Sequence, residues 1–216
     1  MKYKLVIFDL DGTILDTLQD LGNSVNYALE KNNLPLRSIE EVRAFVGNGI
    51  RLLIDRAVPV NTPDDVTQKV FDDFKSHYAV HNADTTRPYE GIKDVIESLK
   101  NAGIKTAVIS NKTDPAVQSL IKEYFPGLFL YVAGEKEGIK RKPAPDAVFS
   151  AINELGVSIT DTVYVGDSEV DIFTAENAGT DCICVSWGFR DKEQLISEGA
   201  DTVISHIKEL KDMLLK

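Results

Sequence analysis

Hydrophobic positions along this chain follow two alternating rhythms. Short, nearly continuous apolar runs occupy residues 3–10, 105–110, 128–133, 162–166 and 181–186, with a shorter sixth at 201–205. Runs of this length and apolarity predict strands covered on both faces. Between them the apolar residues take helical spacing. Val117, Leu120, Ile121 and Tyr124 follow Asp114-Pro115, read as a cap and a first-turn proline, and Val148, Ile152 and Leu155 follow Pro145. Val170, Phe173 and Ala178 predict a further helix, and Ile207, Leu210, Met213 and Leu214 a last one. Strand and helix in alternation predict an α/β fold on a largely parallel sheet.

One interval breaks the rhythm. About ninety residues separate the first strand from the second, where a strand-helix-strand unit needs roughly thirty. A helix bearing Ile92, Val95, Ile96 and Leu99 uses only the end of that interval. Residues 15–85 offer no strand pattern and four helical stripes instead. The first is Leu18, Leu21, Val25 and Leu29; the second is Val42, Phe45 and Val46 behind the capping-box spelling Ser38-Ile39-Glu40-Glu41. Ile50, Leu53, Ile54 and Ala57 form the third, and Val66, Val70, Phe74 and Tyr78, behind Thr62-Pro63, the fourth. The expected organisation is an α/β core of residues 1–14 and 86–216 with an all-helical insertion at 15–85.

Charge and composition narrow the function. The 216 residues are 43% apolar, enough for a core, and 24 basic against 34 acidic side chains give a net charge of −10. That excess argues against nucleic acid or an anionic membrane as partner. No stretch approaches ~18 apolar residues, and the polar start fits no signal peptide. Cys182 and Cys184 lie one residue apart on one strand face and read as reduced core residues of a cytoplasmic protein, monomer or homodimer.

Ligands of open parallel sheets bind beyond the carboxyl ends of the strands. Those ends carry Asp9-Leu10-Asp11-Gly12-Thr13, Ser110-Asn111-Lys112 and Gly166-Asp167-Ser168 with Asp171 beyond, and Lys142 lies between the third and fourth strands. A single aspartate at a strand end is ordinarily a turn former or helix cap. Four carboxylates converging on one rim repel one another unless a cation sits among them, and an all-oxygen set suits Mg²⁺.

Phe8-Asp9-Leu10-Asp11-Gly12-Thr13 resembles the first motif of the haloacid dehalogenase superfamily. Ser110 resembles its second, Lys142-Pro143 its third, and Gly166-Asp167-Ser168-Glu169-Val170-Asp171 its fourth, all in the family's order. The resemblance implies a Rossmann-like core with the helical insertion as a cap. Val46-Gly47-Asn48-Gly49, Arg87-Pro88-Tyr89-Glu90-Gly91 and Ser110-Asn111-Lys112 are most similar to phosphoglycolate phosphatases, many of which have proline where this chain has Glu90. The implied activity is Mg²⁺-dependent hydrolysis of a small phosphorylated metabolite.

The same resemblance implies roles. Asp9 is the nucleophile forming an aspartyl-phosphate, and Asp11 the general acid and then base. Lys142 offsets the charge of Asp9 and the phosphate. Asp9, the Asp11 carbonyl and Asp167 hold Mg²⁺, with Asp171 acting through water or as a support. Ser110 and the backbone around Asn111 bind phosphate oxygens. Gly12 permits close backbone approach, and Thr13 mainly stabilises the turn. From the residues themselves, the Gly47-Asn48-Gly49 break reads either as a loop between two cap helices or as a segment that places Asn48 and neighbouring N–H groups over the substrate, with Arg51 meeting a second anionic group. Competing readings are a phosphomutase, a phosphatase for pyrophosphate or nucleoside monophosphates, and a phosphorylated receiver module, the last disfavoured by the long insertion. A dehalogenase is disfavoured because it has no use for Asp11. His77 and His81 read as solvated residues rather than metal ligands, Lys140 and Arg141 as exposed, and Trp187 as an apolar cover beside the site.

Overall fold

The computed structural model describes residues 2–47 and 49–216. In chain order its elements begin with β1 (Leu5–Phe8), β2 (Leu15–Asp16), α1 (Leu18–Lys31), α2 (Ile39–Phe45), α3 (Ile50–Ala57) and α4 (Asp64–His81). There follow β3 (Arg87–Pro88), α5 (Ile92–Asn101), β4 (Lys105–Thr113), α6 (Asp114–Tyr124), β5 (Tyr131–Glu135) and α7 (Asp146–Leu155). The chain ends with β6 (Thr162–Gly166), α8 (Glu169–Ala178), β7 (Asp181–Val185), α9 (Lys192–Ser197), β8 (Val203–Ile204) and α10 (Ile207–Leu214). They fall into two compact units: residues up to Leu15 with Pro88–Lys216, and Asp16–Arg87.

In the first unit six strands pair in the order β5-β4-β1-β6-β7-β8, all parallel. β1 is central and wholly buried, because Leu5, Val6, Ile7 and Phe8 alternate between two covered faces. On one face Leu5 and Ile7 join Ile109, Ala133, Val148 and Tyr164 in a single cluster. The chain winds from β1 through β4 to β5, then crosses back to place β6 on the other side of β1. That reversal puts the carboxyl ends of β1, β4 and β6 side by side, where a sheet of this kind offers a crevice. Registers keep those ends level: Phe8 is opposite both Val108 and Val165.

The second unit is helical. Its first helix buries Leu21, Val25 and Leu29 and its fourth buries Val70, Phe74 and Tyr78, the stripes expected from the spacing. Ser38 and Glu41 form the capping box at α2. Between α2 and α3, Gly47 and Gly49 have φ of 137° and 85°, which glycine adopts without a Cβ penalty. Asn48 lies outside the described residues. The Asp20 carboxylate is buried in this unit and accepts hydrogen bonds from the backbone N–H and hydroxyl groups of both Thr85 and Thr86. Burial opposes its charge, but these donors outweigh burial and hold its pKa below the ordinary 3.8. Asp20→Ala removes the shared acceptor of these four donors and is expected to cost about 2–3 kcal/mol in urea unfolding. Because the folded pKa is depressed, the stabilisation is complete above the unfolded pKa and lost as pH falls through the folded one; the wild-type advantage over Asp20→Ala is therefore expected to shrink below about pH 4.

Several local expectations shift. The strand expected at residues 128–133 starts at Tyr131, while β4 runs on through Ser110, Asn111 and Lys112 to Thr113. Residues 15–16 and 87–88 form a two-residue pair, β2 with β3, too short for any alternation to reveal. Thr113 is the N-cap of α6, so Asp114 and Pro115 are its first helical residues. Phe173 and Met213, expected to face the core, are exposed. α8 is buried on several sides, through Val170, Ile172, Thr174, Ala175 and Ala178, so its apolar residues form no single stripe. Among the described residues no helix is long and apolar enough to cross a membrane.

Candidate active site

Asp9 follows β1 directly, and its N–H donates to the Val165 carbonyl at 2.9 Å, continuing the β1–β6 ladder. The chain then folds over itself: the N–H groups of Ile14 and Leu15 both donate to the Leu10 carbonyl. Gly12, with φ of 84°, makes this turn possible. A Cβ there would lie 2.3 Å from Asp167 Oδ2, so the close backbone approach expected at Gly12 is made to Asp167 and the Phe189 ring. Thr13 does more than hold the turn, since its hydroxyl donates to Asp167 Oδ1 at 3.0 Å.

Asp9 and Asp167, at the ends of β1 and β6, and Asp171, in the first turn of α8, each bring a carboxylate oxygen within 4.8 Å of the others, and all three are buried. Lys142 enters from the loop before α7, with Nζ 2.7 Å from Asp9 Oδ1 and 2.8 Å from Asp171 Oδ1. Its neighbours Lys140 and Arg141 are exposed, as expected. Asn111 fixes this loop: its side-chain amide donates to the Lys142 carbonyl at 3.0 Å and accepts from the Lys142 N–H at 2.9 Å. The amide is thus occupied with the Lys142 backbone.

Asp171 is held from both sides. Oδ1 takes the lysine, while Oδ2 accepts from the Asp167 and Ser168 N–H groups and from the Ser168 hydroxyl at 2.7 Å. It therefore serves as an anchor for Lys142 and the turn into α8. Asp167 accepts from Thr13 and, at 2.7 Å, from the Phe189 N–H. The loop after β7 supplies that donor, and Trp187 secures the loop by donating from Nε1 to the Thr13 carbonyl at 3.1 Å. The half-buried Trp187 thus adds a hydrogen bond to the cover expected of it.

Electrostatics follow from burial. Burial first, then Asp171 and Asp11, raise the Asp9 pKa to about 7 against the opposing pull of Lys142. Burial first, then Asp171 and Asp9, raise the Asp167 pKa well above the usual carboxylate range. Burial lowers Lys142, but Asp171 and Asp9 outweigh it and keep the ammonium charged. Lys112 contributes a second ammonium, 2.8 Å from Asp11 Oδ1. Two ammoniums against four carboxylates leave negative charge in excess, which a dication beside Asp9 and Asp167 would relieve. The donors are all oxygen, so the site's chemistry fits a hard divalent metal.

Two contributors escaped the sequence reading. Lys112, two residues after Ser110, is the first; its signal is the i, i+2 spacing from Ser110 on one strand. The Phe189 N–H leaves no side-chain signal at all. Gly47, Gly49 and Arg51 belong to the helical unit. There Arg51 pairs with Asp55 at 3.0 Å and donates to Gln68 at 2.8 Å. His77 is not simply solvated: it is half-buried, stacked between Tyr27 and His81, and bonded to Ser24.

A parallel sheet with an acidic crevice, a buried lysine and a helical insertion after the first strand defines a haloacid dehalogenase-like hydrolase. The chain belongs to that family, which it matches over residues 6–185. Within the family it is a phosphatase, a phosphoric monoester hydrolase. It is 32% identical over 96% of its length to a phosphoglycolate phosphatase of Pseudomonas savastanoi pv. phaseolicola, 78% of which is covered. A phosphoglycolate phosphatase of Vibrio parahaemolyticus is 31% identical, with 98% of this chain and 96% of that protein aligned. The crystal structure of a candidate phosphoglycolate phosphatase from Lactobacillus delbrueckii subsp. bulgaricus superposes with a TM-score of 0.93 at 38% identity, covering 100% of this chain and 99% of that one.

Proposed function

We propose that the protein is a Mg²⁺-dependent phosphatase for a small phosphomonoester, with 2-phosphoglycolate the leading candidate, acting through an aspartyl-phosphate at Asp9. The observation that carries this reading is the buried Asp9 carboxylate, 2.7 Å from Lys142 inside the acidic cluster. With Oδ1 on the lysine, Oδ2 makes no hydrogen bond among the described residues and is the oxygen able to attack. The phosphoglycolate phosphatases of Pseudomonas and Vibrio support the substrate class.

In the first half-reaction Asp9 Oδ2 bonds to phosphorus, the bond to the leaving oxygen breaks, and Asp11 gives that oxygen a proton. In the second, water bonds to phosphorus as the Asp9 ester breaks, and Asp11 takes the water's proton. Lys142 stays between Asp9 and Asp171 throughout, offsetting charge where it concentrates. Ser110 and the N–H groups after Asp9 and around Asn111 bind the non-bridging oxygens. Asp9, Asp167 and the Asp11 carbonyl would hold Mg²⁺, with Asp171 behind them; the ion would supply charge neutralisation at the phosphoryl oxygens.

Phosphate release should be measured over a panel of 2-phosphoglycolate, pyrophosphate, nucleoside monophosphates and sugar phosphates, with Mg²⁺ and with EDTA. The expected result is the highest kcat/KM on 2-phosphoglycolate, loss in EDTA and recovery on adding Mg²⁺. Full turnover in EDTA would remove the metal from the scheme. A requirement for a sugar bisphosphate activator would replace hydrolysis by phosphoryl transfer within a sugar.

A further inference from the structure

The steps above leave one buried charge at the site without work. Lys112 is on β4, two residues beyond Ser110, and its side chain is only 4% exposed. Its N–H donates to Ser110 Oγ at 3.2 Å, and its Nζ lies 2.8 Å from Asp11 Oδ1. Placing an ammonium and its four-carbon stem here sacrifices solvation and rotamer freedom. On the other side of the contact, Lys112 is the one hydrogen-bond partner of the Asp11 carboxylate among the described residues. Asp11 stands at the start of the Gly12 turn with its side chain 18% exposed, and among the described residues no second hydrogen bond holds its carboxylate.

We propose that Lys112 is the positioning residue of the proton donor. This inference rests on the reading of Asp11 as general acid. By taking Oδ1, the ammonium fixes the carboxyl plane and turns Oδ2 toward the leaving oxygen. A general acid contributes only while held within hydrogen-bond reach of the atom it protonates. The covalent steps are those already given: the proton moves from Asp11 Oδ2 to the leaving oxygen, and Lys112 keeps its own protons.

Such a role has a signature that simple structural support lacks. An alkoxide needs a proton in order to leave, whereas the acetate of acetyl phosphate does not. Steady-state kinetics of the full-length, Mg²⁺-loaded protein should compare 2-phosphoglycolate with acetyl phosphate for wild type, Lys112→Met, Lys112→Arg and Asp11→Asn. On 2-phosphoglycolate, Lys112→Met is expected to lower kcat about 10–100-fold with KM within about 3-fold, a fraction of the 10²–10⁴ a general acid supplies. On acetyl phosphate its loss is expected to fall below about 3-fold, because protonation no longer limits the step. Lys112→Arg, which restores a donor, should recover most of the loss.

An equal loss on both substrates would overturn the proposal. So would a raised KM with unchanged kcat, which would make Lys112 a substrate ligand. If Lys112→Met does not fold, Lys112→Arg and the near-isosteric Lys112→Gln decide: rescue by arginine and a leaving-group-dependent loss in glutamine support the inference, and their absence overturns it. Asp11→Asn separates the two levels. Should it show the leaving-group dependence while Lys112 variants do not, only the Lys112 role falls. Should Asp11→Asn lack it, the assignment of Asp11 as acid falls, and the Lys112 role with it.

Discussion

Asp9→Asn is expected to abolish turnover, lowering kcat on the order of 10⁴-fold or more, while leaving the fold as stable as wild type or more so. The amide occupies the same volume but cannot form the ester to phosphorus. Stability moves the other way because Asp9 is a carboxylate in repulsion with its neighbours: burial, Asp171 and Asp11 hold its pKa at about 7. A carboxyl whose folded pKa is raised contributes stability that is full below the unfolded pKa and lost as pH rises through the folded one. In metal-free protein, wild type should therefore lose stability as pH climbs toward and past about 7, and Asp9→Asn should be spared that part of the fall. Phosphate release, thermal melts with EDTA at two pH values, and intact mass of acid-quenched enzyme test these expectations together. A phosphorylated mass in wild type that is missing in the variant is the expected outcome; turnover by the variant would end the covalent reading.

Lys142→Met should damage both activity and stability. The ammonium bridges Asp9 and Asp171 with its side chain 4% exposed, so its removal leaves two buried carboxylates facing each other. Breaking a buried pair from one side costs about 3–5 kcal/mol, measurable as a fall in the urea midpoint. The loss of kcat should be about 10²–10³-fold, comparable with removing a preorganised donor from a developing charge. Added Mg²⁺ should recover part of the lost stability, since a dication offsets the same charges, but not the rate. A variant as stable in EDTA as wild type would show that Lys142 does not hold the cluster together.

The elements built from local pattern were legible before the structure. The strands at 162–166 and 181–185 and the helix stripes around Val25, Ile54 and Phe74 follow from spacing alone, because each needs only a buried face of known period. α8 was less legible. Its neighbours cover several of its sides, so Phe173, apolar by type, ends exposed while Asp171 and Thr174 are buried. The β2–β3 pair was illegible because two residues carry no period.

The candidate site divides in the same way. By itself the sequence determined which chemical groups stand at or just beyond the carboxyl ends of the strands: Asp9, Asp11, Ser110 and Asp167, with Lys142 in the loop before α7 and Asp171 in α8. A side chain that does chemistry must be of the right type, and residue type is written in the chain. Only the tertiary structure decided how those groups share one another. It placed Asn111 on the Lys142 backbone, Thr13 and the Phe189 N–H on Asp167, and Lys112 on Asp11. These contacts join residues far apart along the chain, and their strength depends on distance and burial, quantities that exist only once the sheet has brought its strand ends together.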